Sequence, residues 1–271
     1  MNSLVAVTLH PDGVAEVRLD RADKLNALVH ESFEGLVAAA NQLSREPSVR
    51  AVVLHGAGRA FCAGLDLSNF DSNGNGSIGS GQLAVRTHGM TNLYQQAVMA
   101  WRDLPVPVIA AVHGMAFGGG LQIALGADLR LVSADAKLSV MEIKWGLVPD
   151  MAGILLMQRL ARADVVRELV YTGRIFSGEE AVRLGLATRV CEAPLADALS
   201  LAREIAQQSP QAIRSAKRLL NHSSTCDPAS LLLIESLEQD RLLGSAEQLE
   251  TVRANLEKRV PKYAVPSFPD K

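Results

Sequence analysis

The chain has 271 residues, 48% of them hydrophobic and 21% charged, with a formal net charge of −2. That length supports one large core, or a core with a helical appendage, and interspersed charges near neutrality offer no basic stripe of the kind a nucleic-acid partner requires. Three scattered cysteines, Cys62, Cys191 and Cys226, exclude a disulfide framework or a metal knuckle and fit a reducing cytoplasm.

The opening MNSLVAVTLHPDG has no basic stretch before its apolar residues and alternates as a strand does, so it reads as fold and not as a signal peptide. Residues 4–9 and 14–19 alternate on either side of His10-Pro11-Asp12-Gly13, the pattern of a hairpin. Leu28, Phe33, Leu36, Val37, Ala40 and Leu43 recur at helical spacing until Glu46-Pro47. VRAVVLHG, 49–56, reads as a buried strand, and the strand–helix–strand order suggests parallel pairing. Residues 71–81, DSNGNGSIGSG, are nearly free of apolar side chains and are expected to be mobile. A helix over 84–103 and a buried strand over 105–114 follow, then a short helix over 121–127 and strands in LRLVSAD and KLSV. From residue 199 the pattern becomes purely helical, over 199–208, 210–221, 228–243 and 245–258, before a Pro-rich tail. The expected division is therefore a core over 1–198 and a helical subdomain over 199–271. No apolar run approaches the length of a membrane span.

The informative stretch is AFGGGLQIALGADLRL, 116–131, where Gly118, Gly119 and Gly120 join a strand to a helix. Their spacing is not G-x-G-x-x-G, and no P-loop or G-x-S-x-G elbow occurs. A glycine turn opening a helix leaves backbone N–H groups unpaired at the positive end of the helix dipole, ready to hold an oxyanion. The plainer alternative is that small residues let strand and helix pack closely. A second such turn, GRAFCAGLDL at 58–67, allows two amides to be aimed at one oxygen.

GRAFCAGLDL, IAAVHGMAFGGGLQIALGADLRL, EIKWGLVP and FSGEEAVRLGLATRV, in this order, together with DKLNAL and SPQAIRSAKRLL, resemble the enoyl-CoA hydratase/isomerase (crotonase) family over nearly the whole chain. The resemblance implies an α/β fold, a ClpP/crotonase-like spiral of ββα units with a C-terminal helical trimerisation subdomain, assembled as a homotrimer or a homohexamer. It implies an acyl-CoA thioester as substrate in fatty-acid or related metabolism, no metal, and no cofactor beyond the coenzyme A that the substrate carries. By position, the amides of Leu65 and Gly119 resemble the family's oxyanion hole. Lys24, Ala27, Leu28, Ala63, Leu65, Asp66, Leu67, Ser68 and Gly119 resemble the residues that cradle the coenzyme. Lys258 to Tyr263 resembles a segment that approaches coenzyme A across a subunit boundary, with a solvated basic end as the alternative.

Family hydratases generally present two glutamates, and the matching positions here are Gln122 and Glu142. Gln122 can hydrogen-bond but cannot take a proton at neutral pH, unless it is simply a satisfied polar residue on a buried face. One carboxylate suits an isomerase, which can lift a proton from one carbon and return it to another. Asp150, eight residues after Glu142, resembles an aspartate of dienoyl-CoA isomerases, although it would also serve as a helix N-cap before MAGILLMQRL. His113, Trp145, Asp128 and Arg130 read as structural; Arg86, His88 and Tyr94 are candidates for lining an acyl pocket. The expected activity is double-bond isomerisation of an enoyl- or dienoyl-CoA, with hydration as an alternative. A catalytically inactive acyl-CoA-binding protein is the alternative of another class.

Overall fold

A computed structural model of the chain describes residues 4–66 and 82–264. The N-terminal hairpin forms as expected: β1 (Val5–Leu9) and β2 (Val14–Leu19) pair antiparallel, with Val5 opposite Leu19. The chain then crosses through α1 (His30–Ser44) to β3 (Ala51–Gly56), which lies parallel to β2. Leu28 is not the first helical residue. It pairs with Leu65 in a parallel bridge outside the sheet.

Residues 71–81, whose mobility the composition suggests, lie outside the described residues, as do Leu67 and Ser68. The helix expected from residue 84 begins only at Leu93: α2 spans Leu93–Asp103. Asn92 stops it from starting earlier, because its side chain accepts from the Gln95 N–H at 2.9 Å while Gln95 Oε1 accepts from the Asn92 N–H at 3.3 Å. The apolar residues before it, Leu83, Val85 and Met90, are exposed and line no helix face.

Next come β4 (Val108–Val112), β5 (Met115–Phe117), α3 (Gly119–Gly126), β6 (Leu129–Val132) and β7 (Lys137–Ser139). The remaining elements are α4 (Gly153–Met157), α5 (Ala163–Thr172), β8 (Phe176–Ser177), α6 (Gly178–Arg183), β9 (Arg189–Val190), α7 (Pro194–Ala206), α8 (Pro210–His222), α9 (Pro228–Leu242) and α10 (Ala246–Leu256). The main sheet has the order β1-β2-β3-β4-β6-β9, parallel from β2 onward, and a second sheet has the order β5-β7-β8.

Every residue of β3 and β4 is buried, as a parallel strand covered on both faces requires. One face packs on the helical layer that includes Phe33, Leu36, Trp101 and Ile123, each such side chain contributing about 1.5–3 kcal/mol by leaving water. The other face carries Val14, Ala51, Val53, Ile109, Ala111 and Leu131 and is covered by Ala198, Ala202 and Ala206 of α7. The expected boundary at residue 199 thus falls inside a helix that closes the core. The switch from strands to helices in sequence does not coincide with a switch from core to appendage, because a parallel sheet needs a helix on each face.

Helix α8 is tied to the core by charge. Lys217 is buried and its Nζ donates to Trp101 O (3.1 Å), Val106 O (2.8 Å) and Asp128 Oδ2 (2.7 Å), the last of which also accepts from the Val108 N–H at 2.7 Å. Burial pushes its ammonium down from the ordinary lysine value, with Asp128 acting against that shift. Arg130 is similarly structural, donating to Leu186 O and Ala127 O. Trp145, read from sequence as packing, is instead 51% exposed. Among the described residues no helix is long and apolar enough to cross a membrane.

Candidate active site

The site forms where two glycine turns meet. The first leaves β3 and runs to Asp66; the second joins β5 to α3. They are stitched by the Cys62 N–H to Met115 O (2.9 Å) and the Phe117 N–H to Cys62 O (3.1 Å). Gly64 stands at φ +93° with any Cβ 2.7 Å from Phe117 O, so a side chain there would separate the turns. The three consecutive glycines have different reasons. Gly118 has φ +48°, a Cβ on Gly119 would lie 3.0 Å from Met151 Sδ, and one on Gly120 would lie 2.4 Å from Cys62 O. Close approach and an unusual backbone are therefore both present.

The Leu28–Leu65 bridge uses the groups on either side of Leu65: the Leu28 N–H donates to Gly64 O (2.8 Å) and the Asp66 N–H to Leu28 O (2.9 Å). The Leu65 N–H faces the other way, and Gly119 is the first residue of α3, whose amide has no partner within the helix. Among the described residues neither amide is paired with a protein acceptor. Two unpaired donors on touching turns suit an oxygen that gains negative charge.

Glu142 opens a short 3₁₀ turn, Glu142–Trp145, directly over the second glycine turn: a Cβ on Gly118 would lie 3.3 Å from Glu142 Oε1. That oxygen accepts from Gln122 Nε2 at 2.6 Å. The other oxygen, Oε2, is buried with no hydrogen-bond partner among the described residues. Burial holds the carboxyl above the usual range and the nearby Asp150 charge adds to this, partly offset by its own N–H and by Gln122.

Gln122 is engaged at both ends of its amide. Its Oε1 accepts from the N–H groups of Met151 and Gly153, both at 2.9 Å. The reverse amide orientation would set its NH2 against two N–H donors and its oxygen against a carboxylate, so the network fixes it as placed. Between those two donors Ala152 has φ +66°, an unfavourable conformation for a residue with a Cβ, costing about 1–3 kcal/mol. The glutamine thus holds a strained turn with one end and the carboxylate with the other.

Asp150 lies just before that turn. It does not cap α4, whose N-cap is Ala152, with no side-chain cap bond. Burial pushes its carboxyl upward, countered by its own N–H. The phenol of Tyr94 is likewise raised by burial and by Asp150, and its ring packs edge-on against Phe33 at 4.8 Å between centroids. Of the other pocket candidates, Arg86 donates to Gln95 Oε1 and His88 sits in a bridge with Thr91, so both support the entry to α2.

The residues expected around the coenzyme fall on two facing segments. Lys24 is exposed on a short turn, Ala27 is half-buried and Leu28 buried, opposite Ala63, Leu65 and Asp66; the Ala63 N–H donates to Leu25 O at 2.9 Å. Arg259 to Tyr263 folds back on its own chain, with the Tyr263 hydroxyl 2.9 Å from Thr251 Oγ1 and the Arg50 guanidinium over its ring.

Sequence reasoning missed Asn26. It is buried at φ +56°, and its Nδ2 donates to Ala57 O (2.9 Å), Ala60 O (2.8 Å) and Phe61 O (3.2 Å), fastening the first glycine turn. A polar residue set between Leu25 and Ala27 was the available signal. His113 also helps, with Nε2 2.9 Å from Gly58 O. Behind the turn Cys62 donates to Asn26 O, and burial pushes its thiol up to about 12. Among the described residues no cluster of three or more His, Cys, Asp or Glu side chains is placed to hold a metal ion.

Residues 10–265 match the enoyl-CoA hydratase/isomerase family. The chain is 33% identical to a probable enoyl-CoA hydratase of Bacillus subtilis (strain 168), over 95% of this chain and 98% of that one. It is 31% identical to the mitochondrial methylglutaconyl-CoA hydratase of Mus musculus, over 93% and 79%. Among solved structures it resembles an enoyl-CoA hydratase from Bacillus anthracis at TM-score 0.85, 29% identity and 96% and 98% coverage. A probable enoyl-CoA hydratase/isomerase from Mycobacterium abscessus superposes equally well, at TM-score 0.85, 31% identity and 97% and 99% coverage.

Proposed function

The chain belongs to the enoyl-CoA hydratase/isomerase family and has its crotonase fold, and from that premise we propose that it moves a double bond along an acyl-CoA through a thioester enolate. The Leu65 and Gly119 amides hold the thioester oxygen as charge builds on it. Glu142 Oε2, the oxygen with no protein partner, takes a proton from the carbon next to the thioester; the double bond then shifts, and the same oxygen returns a proton to the far carbon of the allylic system. Atoms balance without water or an external acid. Burial, with the nearby Asp150 charge adding to it, keeps the Glu142 carboxyl above its ordinary value, which favours return of the proton.

The observation that carries this reading is Gln122. With its oxygen on two N–H groups and its nitrogen on Glu142, it does not titrate and its oxygen cannot accept a hydrogen bond from an attacking water. Hydration, which the names of the relatives favour, remains the second reading through Asp150, a half-buried acid near Glu142 that would serve as the second carboxylate.

Mass spectrometry after incubation in D2O with 2-enoyl-, 3-enoyl- and 3,5-dienoyl-CoA thioesters tests both. A shifted double bond without added water, lost in Glu142→Gln, supports isomerisation; product heavier by one D2O establishes hydration. Binding with no turnover in the wild type would support the inactive acyl-CoA-binding alternative. Leu220, Leu232, Leu233 and Leu256 on α8 to α10 are exposed in the single chain, which supports burial between copies as a homotrimer or homohexamer, to be read by light scattering. The three free thiols support a reducing, cytoplasmic setting, and the chemistry asks for no group beyond the coenzyme A of the substrate.

A further inference from the structure

Asp66 poses an electrostatic problem for the site. It follows Leu65, the residue whose N–H is offered to an oxyanion, and its side chain is only 15% exposed. A carboxylate one residue from the hole opposes negative charge on the thioester oxygen, and weak screening there makes the opposition felt.

The structure supplies a counter-charge from a distant part of the chain. Arg21 Nη1 lies 2.5 Å from Asp66 Oδ2 and also donates to Ala27 O at 3.0 Å, while the Arg21 N–H donates to Asn26 Oδ1 at 2.9 Å. The guanidinium is itself only 23% exposed, so the pair is set into the fold and is not a solvated surface contact. It also sits on the segment that, through Leu28 and Asn26, fastens the first glycine turn.

We propose that Arg21 is an electrostatic positioning residue of the oxyanion site: its guanidinium neutralises Asp66, so that the Leu65 and Gly119 amides act on the thioester oxygen without an opposing charge beside them. This rests on the oxyanion reading above but not on whether the product is an isomer or a hydrate, since both routes develop charge on the same oxygen. It assigns a task to two residues whose pairing also shapes the loop.

The probe is acetoacetyl-CoA, whose enolate absorbs in the near ultraviolet, so the acidity of the bound ligand is read directly by titration. In the wild type the bound enol should ionise at lower pH than the free thioester. Arg21→Met should raise that apparent pKa by about one unit, a tenfold loss of acidity. Adding Asp66→Asn to that variant should bring it back, because the charge that Arg21 balanced is gone. Should Arg21→Met fail to fold, Asp66→Asn alone decides the matter: with the guanidinium unopposed, the bound enol should ionise at lower pH than in the wild type.

An Arg21→Met protein that binds the probe with wild-type acidity overturns the proposal. So does a double variant that keeps the whole defect, since Arg21 would then act only as scaffold through Ala27, or an Asp66→Asn protein with unchanged or raised enol pKa. A wild type that binds the probe without lowering its pKa removes the oxyanion reading itself, and this inference with it.

Discussion

The two glycine turns each present an amide with no protein acceptor among the described residues, and they are built differently. The first, from Gly56 to Asp66, adds to its backbone bonds with Leu25, Leu28 and Met115 a set of side chains from elsewhere: Asn26 on three carbonyls, Arg21 on Asp66 and His113 on Gly58 O. The second, around Gly118 to Gly120, is held by backbone, with the Gly118 N–H on Ser139 O (2.9 Å) and its neighbours in the β5–β7 ladder. Both turns depend on glycine, but the first adds polar side chains as further points of failure.

The largest expected effect removes the proton carrier and leaves both turns standing. Glu142→Gln should lower turnover about a thousandfold while substrate binding stays within a few fold, by stopped-flow and calorimetry. Comparable loss of both would mean that Glu142 holds the turns together, which the comparison denies.

Gly120→Ala attacks the backbone-held turn, since the new methyl would lie 2.4 Å from Cys62 O and 2.8 Å from Cys62 Cβ. We expect a loss of about 3 kcal/mol in chemical denaturation. On the side-chain-held turn, Asn26→Ala strands buried carbonyls and should cost about 2 kcal/mol; a loss below about half a kcal/mol would show that strand β3 alone fixes that turn.

The smallest effect concerns pH. Glu142 must be ionised to accept a proton, and its carboxyl sits above the ordinary value of 4.5 through burial and then Asp150. Activity should therefore rise with pH through that elevated value. Asp150→Asn removes the like charge, so the rising limb should move to lower pH. An unmoved limb would place Asp150 outside the electrostatics of the site.

What was legible in the sequence was local. A glycine cluster between strand and helix states its requirement in consecutive residues, and the alternating hairpin does the same. Gln122 was recognised as departing from the family's acid pair, but its double grip was invisible, because its partners are residues 142, 151 and 153 and nothing local brings them together. Asn26 escapes for the same reason, and α2 is shorter than the sequence suggests because apolar Leu83 and Val85 fit a helical spacing that Asn92 overrides. The domain boundary slipped because α7 resembles the later helices in composition while covering the sheet as no later helix does.

The buried ammonium of Lys217 bears on how the molecule can be dissected. A fragment ending at residue 198 would lose not only the lid of the sheet but also the cation against Asp128, the carboxylate at the foot of β4. The strand that leads to the second glycine turn would begin beside an uncompensated charge. Helix α8, for all its distance in sequence, is a cornerstone of the sheet on which the second glycine turn stands.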